Sequence, residues 1–140
     1  MSSIDITQFT IGQRGEFTRT VTKEIVEAFA EISGDHNPIH LDEAYASKTT
    51  FGKCIAHGIY SASLISTVLG TVMPGPGGIY VSQSLNFLRP VFIDDTITAF
   101  AEITNIDFTK NRIHLKTGCL NQHQKKVAEG ESTILLPKQP

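Results

Sequence analysis

The 140-residue sequence has few cysteines, little excess of either charge and no long apolar run. Its two cysteines, Cys54 and Cys119, show no CxxC spacing, which argues against a secreted disulfide scaffold and favours reduced thiols. The 12 Lys and Arg residues nearly balance the 14 Asp and Glu residues, so nothing indicates a nucleic-acid or membrane surface. The sequence has no run of about 18 apolar residues and no basic-then-apolar leader. We therefore expect a cytoplasmic protein with no nucleic-acid partner and no membrane span.

Two longer helices, and one or two helical turns at residues 41–46, are predicted in a chain whose length favours one domain, residues 1–140. The first helix, residues 23–32, is amphipathic, with Thr22 as its N-cap and Gly34 as its stop. The second helix, residues 58–69, carries no charge, which is typical of a buried helix, and we expect Gly70 to cap its end.

Stretches rich in β-formers predict five strands, at residues 16–21, 79–88, 96–106, 112–122 and 126–136. We expect the last four strands to be consecutive and antiparallel. Residues 1–13 are polar and mixed, and are expected to form an arm over the surface. One buried helix beside a long curved sheet predicts the α+β class, with an antiparallel sheet wrapped around a central buried helix.

An aspartate and a histidine, Asp35 and His40, are separated by Asn37 and Pro38. Proline pushes the residue before it out of the α region, so Asp35 cannot lie on the helix that carries His40. A turn between them can aim a carboxylate and an imidazole at one point, where the two can position and deprotonate a water molecule. Alternatively, Asp35 only caps the short helix after Pro38, and His40 alone is structural.

Gly58 begins the predicted buried helix, so its backbone N–H is one of the unpaired donors of the first turn. Glycine lets a ligand approach the backbone closely, which suits an oxyanion hole, although a plain helix start explains it too. His57 either orients a catalytic group or simply precedes the helix. Ser63 either hydrogen-bonds the catalytic pair or allows close helix–sheet packing. The five histidines show no ligand spacing, so we expect no metal site.

Residues 29–40, followed by Ala46, resemble the hydratase 2 motif of the MaoC-like R-specific enoyl-CoA hydratases. In that motif an aromatic and an aliphatic residue precede Ser-Gly-Asp-x-Asn-Pro-aliphatic-His, and a small residue follows. Every defined position matches here. The resemblance extends to three further segments and covers about residues 10–136; the segments are residues 57–58, 83–87 and 90–92.

The resemblance implies a hot-dog fold, usually a homodimer, and reversible hydration of a trans-2-enoyl-CoA to an R-3-hydroxyacyl-CoA. It makes Asp35 and His40 the catalytic pair and Gly58 the backbone donor to the thioester oxygen. Ser63 then supports the pair, with Asn37 and His57 as further supporting residues. The resemblance implies an acyl-CoA thioester substrate, and no cofactor apart from the coenzyme A that the substrate carries.

Three alternatives to a hydratase remain open. A thioesterase of the same fold would not need this Asp-x-Asn-Pro-x-His turn. A dehydratase acting on the acyl carrier protein would show a basic patch, which the near-neutral composition does not support. A non-catalytic acyl-CoA-binding or assembly subunit would lack Asp35 or His40, and both are present.

Overall fold

The computed structural model describes residues 4–138. The helical elements are a 3₁₀ turn at Ile6–Gln8, α1 at Lys23–Ser33, α2 at Pro38–Leu41, α3 at Glu43–Ala46, α4 at Gly58–Thr67 and a π-helical turn at Val68–Val72. The strands are β1 at Arg14–Thr20, β2 at Ile79–Gln83, β3 at Asn86–Phe87, β4 at Thr96–Asp107, β5 at Arg112–Leu120 and β6 at Lys126–Leu135.

All six strands form one antiparallel sheet in the order β1-β4-β5-β6-β2, and β3 also pairs with β6. The last three strands are consecutive, as expected. The expectation was wrong for β2, which pairs with β6 (Ile79 opposite Leu135) instead of β4. The reason is that β1 occupies the position beside β4, with Gly15 opposite Ala101, so the free side of β6 is left for β2.

The predicted strand at residues 79–88 is divided into β2 and β3, with Ser84 and Leu85 between them. At this break the Ser84 backbone lies very close to Gly130 of β6. A side chain at Gly130 would place its Cβ 1.8 Å from the Ser84 carbonyl oxygen, so only glycine fits there.

Helix α4 packs against the sheet at strands β4 and β5. Leu64 and Ile65 are buried on it, and the Cys119 thiol of β5 donates to the Ser61 carbonyl at 3.2 Å. The central helix and surrounding antiparallel sheet are therefore confirmed. However, α4 is not buried all round, because Ile59 is 53% exposed.

The predicted cap at Gly70 was wrong. The helical path runs through Gly70 in the π-helical turn and ends at Val72, where the Met73 N–H donates to the Val68 carbonyl at 2.8 Å. A glycine without a left-handed backbone does not stop a helix, and Gly70 is not among the glycines of positive φ.

The ends of α1 agree with the prediction. The Thr22 hydroxyl accepts from the Ile25 N–H at 3.3 Å, and Gly34 is left-handed with φ 80°. Gly34 thereby turns the chain sharply before Asp35.

Residues 4–13 are not the surface arm that was expected, and residues 1–3 lie outside the described part. Ile6 and Phe9, three residues apart on the 3₁₀ turn, are each only 9% exposed and join the core. The Gly12 N–H donates to the Ile103 carbonyl at 2.8 Å, so this segment continues the edge contact of β1. No helix within residues 4–138 has the length and apolar character needed to cross a membrane.

Candidate active site

The turn between α1 and α2 fixes the position of Asp35. Its carboxylate accepts from the Asn37 N–H at 3.2 Å, and the Asn37 side chain accepts from the Ile39 N–H at 3.2 Å. Asn37 is thus the N-cap of α2, with Pro38 as the first helical residue. The alternative in which Asp35 caps this helix is wrong, and one carboxylate oxygen of Asp35 is left without a protein partner in residues 4–138.

His40 lies at the inner side of α2 and is only 9% exposed. Its Nδ1 is 2.7 Å from the Ile55 carbonyl oxygen. Because a carbonyl only accepts, Nδ1 carries the proton and Nε2 keeps a lone pair in the neutral ring. Burial, opposed by the Ile55 hydrogen bond, lowers the pKa of His40 below its ordinary value. Nε2 is therefore suited to accept a proton near neutral pH.

His57 connects the two members of the pair. Its ring stacks on that of His40, with centroids 3.8 Å apart and planes inclined by 27°. Its Nε2 is 3.0 Å from the backbone oxygen of Asp35, so the Nε2–H donates to the turn that carries the carboxylate. The Phe29 ring packs on His57 with centroids 4.9 Å apart. His57 is thus placed to orient both Asp35 and His40.

Asp35, His40 and His57 each bring a potential metal ligand atom within 4.8 Å of the others. A metal bound by an imidazole nitrogen lies in the plane of that ring. The two rings have centroids 3.8 Å apart and planes inclined by only 27°. Their planes therefore intersect far from the ring nitrogens, and one ion cannot lie in both planes at bonding distance. The arrangement fits a small hydrogen-bonded molecule such as water better than a metal, and the expected lack of a metal site stays a prediction.

Gly58 is the first residue of α4, and no side chain caps this helix. Among residues 4–138, no acceptor is found for its backbone N–H. The Phe87 ring lies against it, because a Cβ on Gly58 would be 2.9 Å from Phe87 Cδ1. The positive end of α4 thus presents an unpaired donor beside an aromatic ring.

The two serines on α4 have different surroundings. The Ser63 hydroxyl donates to the Tyr60 carbonyl at 2.5 Å, and Ser63 lines a different cavity from the catalytic pair. Within this chain Ser63 therefore does not contact Asp35 or His40. Ser61, about 200° away around the helix, is 1% exposed, and its Oγ has no partner in the described residues.

Sequence analysis missed Ser61, and no feature of the sequence distinguishes it from Ser63. Ser61 lies one turn before Ile65, which is fully buried, whereas Ser63 shares no face with it. Both serines look alike in an uncharged helix until its buried face is known.

Asp35 and His40 open into a cavity of about 550 Å³, a size ordinary for small-molecule sites. His57, Gly58 and Ser61 also line this cavity. Most of its remaining wall is apolar and includes Phe51, Ile55, Phe87, Leu88, Val91 and Val127. Arg89 is the one permanently cationic side chain in the described lining.

A family model described as a MaoC-like domain matches residues 7–124. The chain belongs to the MaoC-like domain family. Two curated relatives of this MaoC-like protein are enzymes by name. A 3-hydroxybutyryl-CoA dehydratase of Methylorubrum extorquens is 46% identical over 86% of this chain and 79% of the relative. An (R)-specific enoyl-CoA hydratase of Rhodospirillum rubrum is 44% identical over 90% of this chain and 87% of the relative.

Among solved structures, the unliganded R-hydratase of Pseudomonas aeruginosa superposes with a TM-score of 0.91 at 41% identity. The match covers 98% of this chain and 88% of that chain. The expected hot-dog fold of the MaoC-like protein is thereby confirmed.

Proposed function

We propose that this MaoC-like protein catalyses the reversible, R-specific hydration of trans-2-enoyl-CoA to R-3-hydroxyacyl-CoA. The observation that carries the proposal is the His40 imidazole, whose Nδ1 is held by the Ile55 carbonyl, beside the Asp35 carboxylate in a cavity that is also lined by Gly58 at the start of α4. The names of the curated relatives support the same reaction class.

In the proposed mechanism, Asp35 and His40 hold one water molecule. Nε2 of His40 accepts a proton from this water while its oxygen attacks Cβ of the enoyl thioester. The Asp35 carboxylate orients the water and stabilises the imidazolium that forms. The pair then delivers a proton to Cα, so that H and OH have been added across the double bond. General acid–base help of this kind contributes about 10²- to 10⁴-fold.

The negative charge that develops on the thioester oxygen needs a donor. The Gly58 N–H at the positive end of α4 supplies it, and one such donor typically contributes about 10²- to 10³-fold in rate. The Phe87 ring against Gly58 limits the access of bulk water to this donor. Hydration leaves the overall oxidation level unchanged, so the proposed reaction uses no redox cofactor, and coenzyme A is part of the substrate.

The test is loss of the ultraviolet absorbance of crotonyl-CoA with the unaltered protein and with Asp35→Asn. The variant keeps the size of the side chain but loses its charge, and we expect kcat/KM to fall about 10²- to 10⁴-fold. Asp94→Asn is the matched control, because Asp94 is exposed with φ 73°, a conformation that asparagine also tolerates. Chiral analysis of the product should give the R isomer.

Inactivity of the unaltered protein on crotonyl-CoA and on a longer enoyl-CoA would refute the proposal. Release of free thiol from acyl-CoA would then favour the thioesterase alternative.

We also propose that the protein is a homodimer, formed through the free edge of β2. This strand ends the sheet, and its residues Ile79 and Val81 are 57% and 41% exposed. The neighbouring face of α4 exposes Ile59 as well. An open apolar edge of this kind is a ready template for a second strand, and a second copy of β2 would extend the sheet antiparallel.

Because both cysteines are free thiols, we place the dimer in the cytoplasm.

Sedimentation should give a mass twice the 15.3 kDa of one chain. Val81→Lys puts a charge on the free edge and should yield monomers. Thr18→Lys, on the opposite edge strand β1, is the control and should leave the mass unchanged. A Val81→Lys protein that stays dimeric would rule out this interface.

A further inference from the structure

Arg89 is the one permanent cation in the described lining of the catalytic cavity. We propose that Arg89 binds a phosphate group of the carrier that delivers the thioester. This inference rests on the proposed function. Its ligand chemistry is a phosphate on a pantetheine arm, which occurs both in coenzyme A and on an acyl carrier protein.

The backbone around Arg89 is held against the start of β6. The Leu88 and Arg89 N–H groups both donate to the Val127 carbonyl, at 2.9 and 3.4 Å. Nη1 of Arg89 donates to the Lys126 carbonyl at 2.7 Å. One N–H of the guanidinium thus fixes the side chain, and the others stay available, since the group has five donors.

No carboxylate neutralises Arg89 within the described part of the chain. Two other cations near the surface are paired: Arg14 with Glu16, and Lys126 with Glu129, each at 3.0 Å. Lys53 sits 4.5 Å above the Phe92 ring and does not line the cavity. Arg89 therefore combines an unpaired charge, an anchored geometry and access to the cavity. A guanidinium fork of this kind matches two oxygens of a phosphate.

Arg89 is also exposed to solvent while it lines the catalytic cavity. The Ala56 N–H donates to the Val91 carbonyl at 2.7 Å, and Ile55 bridges antiparallel to Phe92. Phe87, two residues before Arg89, lies against Gly58, and Gly58 and Arg89 both line the cavity. A thioester whose oxygen lies at the Gly58 N–H can send its pantetheine arm past Arg89 towards solvent.

The test compares Arg89→Gln with the unaltered protein on three crotonyl thioesters: those of coenzyme A, 4′-phosphopantetheine and phosphate-free pantetheine. We expect KM for crotonyl-CoA to rise about tenfold at unchanged kcat, because a charge-assisted hydrogen bond lost equally from ground and transition states affects binding alone. KM for crotonyl-pantetheine should not change.

The phosphopantetheine thioester identifies the source of the phosphate. A parallel rise in its KM assigns the contact to the phosphate that coenzyme A shares with the acyl carrier protein. An effect confined to crotonyl-CoA assigns it to the phosphates of the nucleotide. Equal KM changes on all three thioesters, or none, would overturn the proposal.

Two further variants serve as controls for Arg89→Gln. Arg89→Lys keeps the charge and should recover part of the KM for crotonyl-CoA. Arg112→Gln removes a cation at the far end of the sheet, opposite Leu135, which is eight residues along β6 from Val127, or about 26 Å. It should leave all three KM values unchanged. If the unaltered protein hydrates no thioester, the proposed function fails. If it hydrates all three and Arg89→Gln matches it, only the role of Arg89 fails.

Discussion

Gly58→Ala should lower the activity of this protein strongly while changing its stability little. A Cβ at position 58 would lie 2.9 Å from Cδ1 and 3.0 Å from Cε1 of Phe87. Carbon atoms in favourable contact are about 3.5 to 4.0 Å apart, so the ring must retreat by roughly 0.6 Å or more. Phe87 is 54% exposed, and its ring has room to move outward.

The expected change in stability is small. Gly58 does not have a positive φ, so alanine there restricts mainly the unfolded chain, which stabilises the fold by about 0.4 to 1 kcal/mol and offsets part of the cost of displacing the ring. We therefore expect the free energy of unfolding to stay within about 1 kcal/mol of the unaltered protein.

The expected change in activity is large. The methyl group and the displaced ring both crowd the space above the Gly58 N–H, where we place the thioester oxygen. Loss of one such donor costs about 10²- to 10³-fold, so we expect kcat on crotonyl-CoA to fall about 100-fold. Gly70→Ala is the matched control, because a Cβ there meets nothing within 4 Å. It should keep full activity and be slightly more stable.

The assay is hydration of crotonyl-CoA together with thermal unfolding of each variant. The double variant Gly58→Ala/Phe87→Ala shows whether the ring mediates the defect, since removing the ring gives the methyl group room. Full activity of Gly58→Ala would refute the reasoning, since it would mean that the Gly58 N–H does not bind the reacting oxygen.

The remaining predictions concern the groups around the pair. Because burial lowers the pKa of His40, and only its neutral form accepts a proton, kcat/KM should fall with decreasing pH through a midpoint below the ordinary histidine value. His57 contributes to that lowering by its charge, so His57→Gln should move the midpoint upward, and an unmoved midpoint would contradict this. Ser61→Ala removes a buried hydroxyl that has no partner in the described residues, so thermal unfolding should show equal or higher stability. Ser63→Ala should leave kcat within a few-fold, and a 100-fold loss would restore the supporting role predicted for Ser63.

The parts of the site that sequence analysis predicted are those set by local rules. Gly34 and Pro38 fix the path of five residues whatever surrounds them, so the turn carrying Asp35 followed from backbone restrictions alone. The Gly58 donor was predicted in the same way, because the first N–H groups of a helix have no acceptor within it.

The parts that sequence analysis missed depend on packing between distant segments. The pairing of β2 with β6 depends on β1 occupying the place beside β4, which lies some 80 residues farther along the chain. The phase of α4 against the sheet distinguishes Ser61 from Ser63, and no feature within the helix reports it. Arg89 was not predicted as a site residue, because a single arginine after a strand forms no recognisable motif. Only the folded chain shows that it is unpaired and lines the cavity.

The side chains also limit which thioester chemistry the cavity can support. Covalent hydrolysis through a hydroxyl or a thiol needs that group next to a base, and neither Ser61 nor Cys54 fits. The Ser61 hydroxyl makes no hydrogen bond to either histidine. Burial and the nearby Glu43 carboxylate raise the pKa of the Cys54 thiol to about 11, so it stays protonated.

In the proposed function, water activated by Asp35 and His40 is the reacting species, and the remaining choice lies between attack on Cβ and attack on the thioester carbon. That choice depends on how far the substrate enters. The contact of the thioester oxygen with the Gly58 N–H fixes which carbon faces Nε2 of His40, whereas a carrier phosphate at Arg89 adds affinity farther along the arm. Arg89→Gln should therefore weaken binding without changing the product. If it instead released free thiol from crotonyl-CoA, the phosphate contact would have to act on the position of the reacting carbon as well as on affinity.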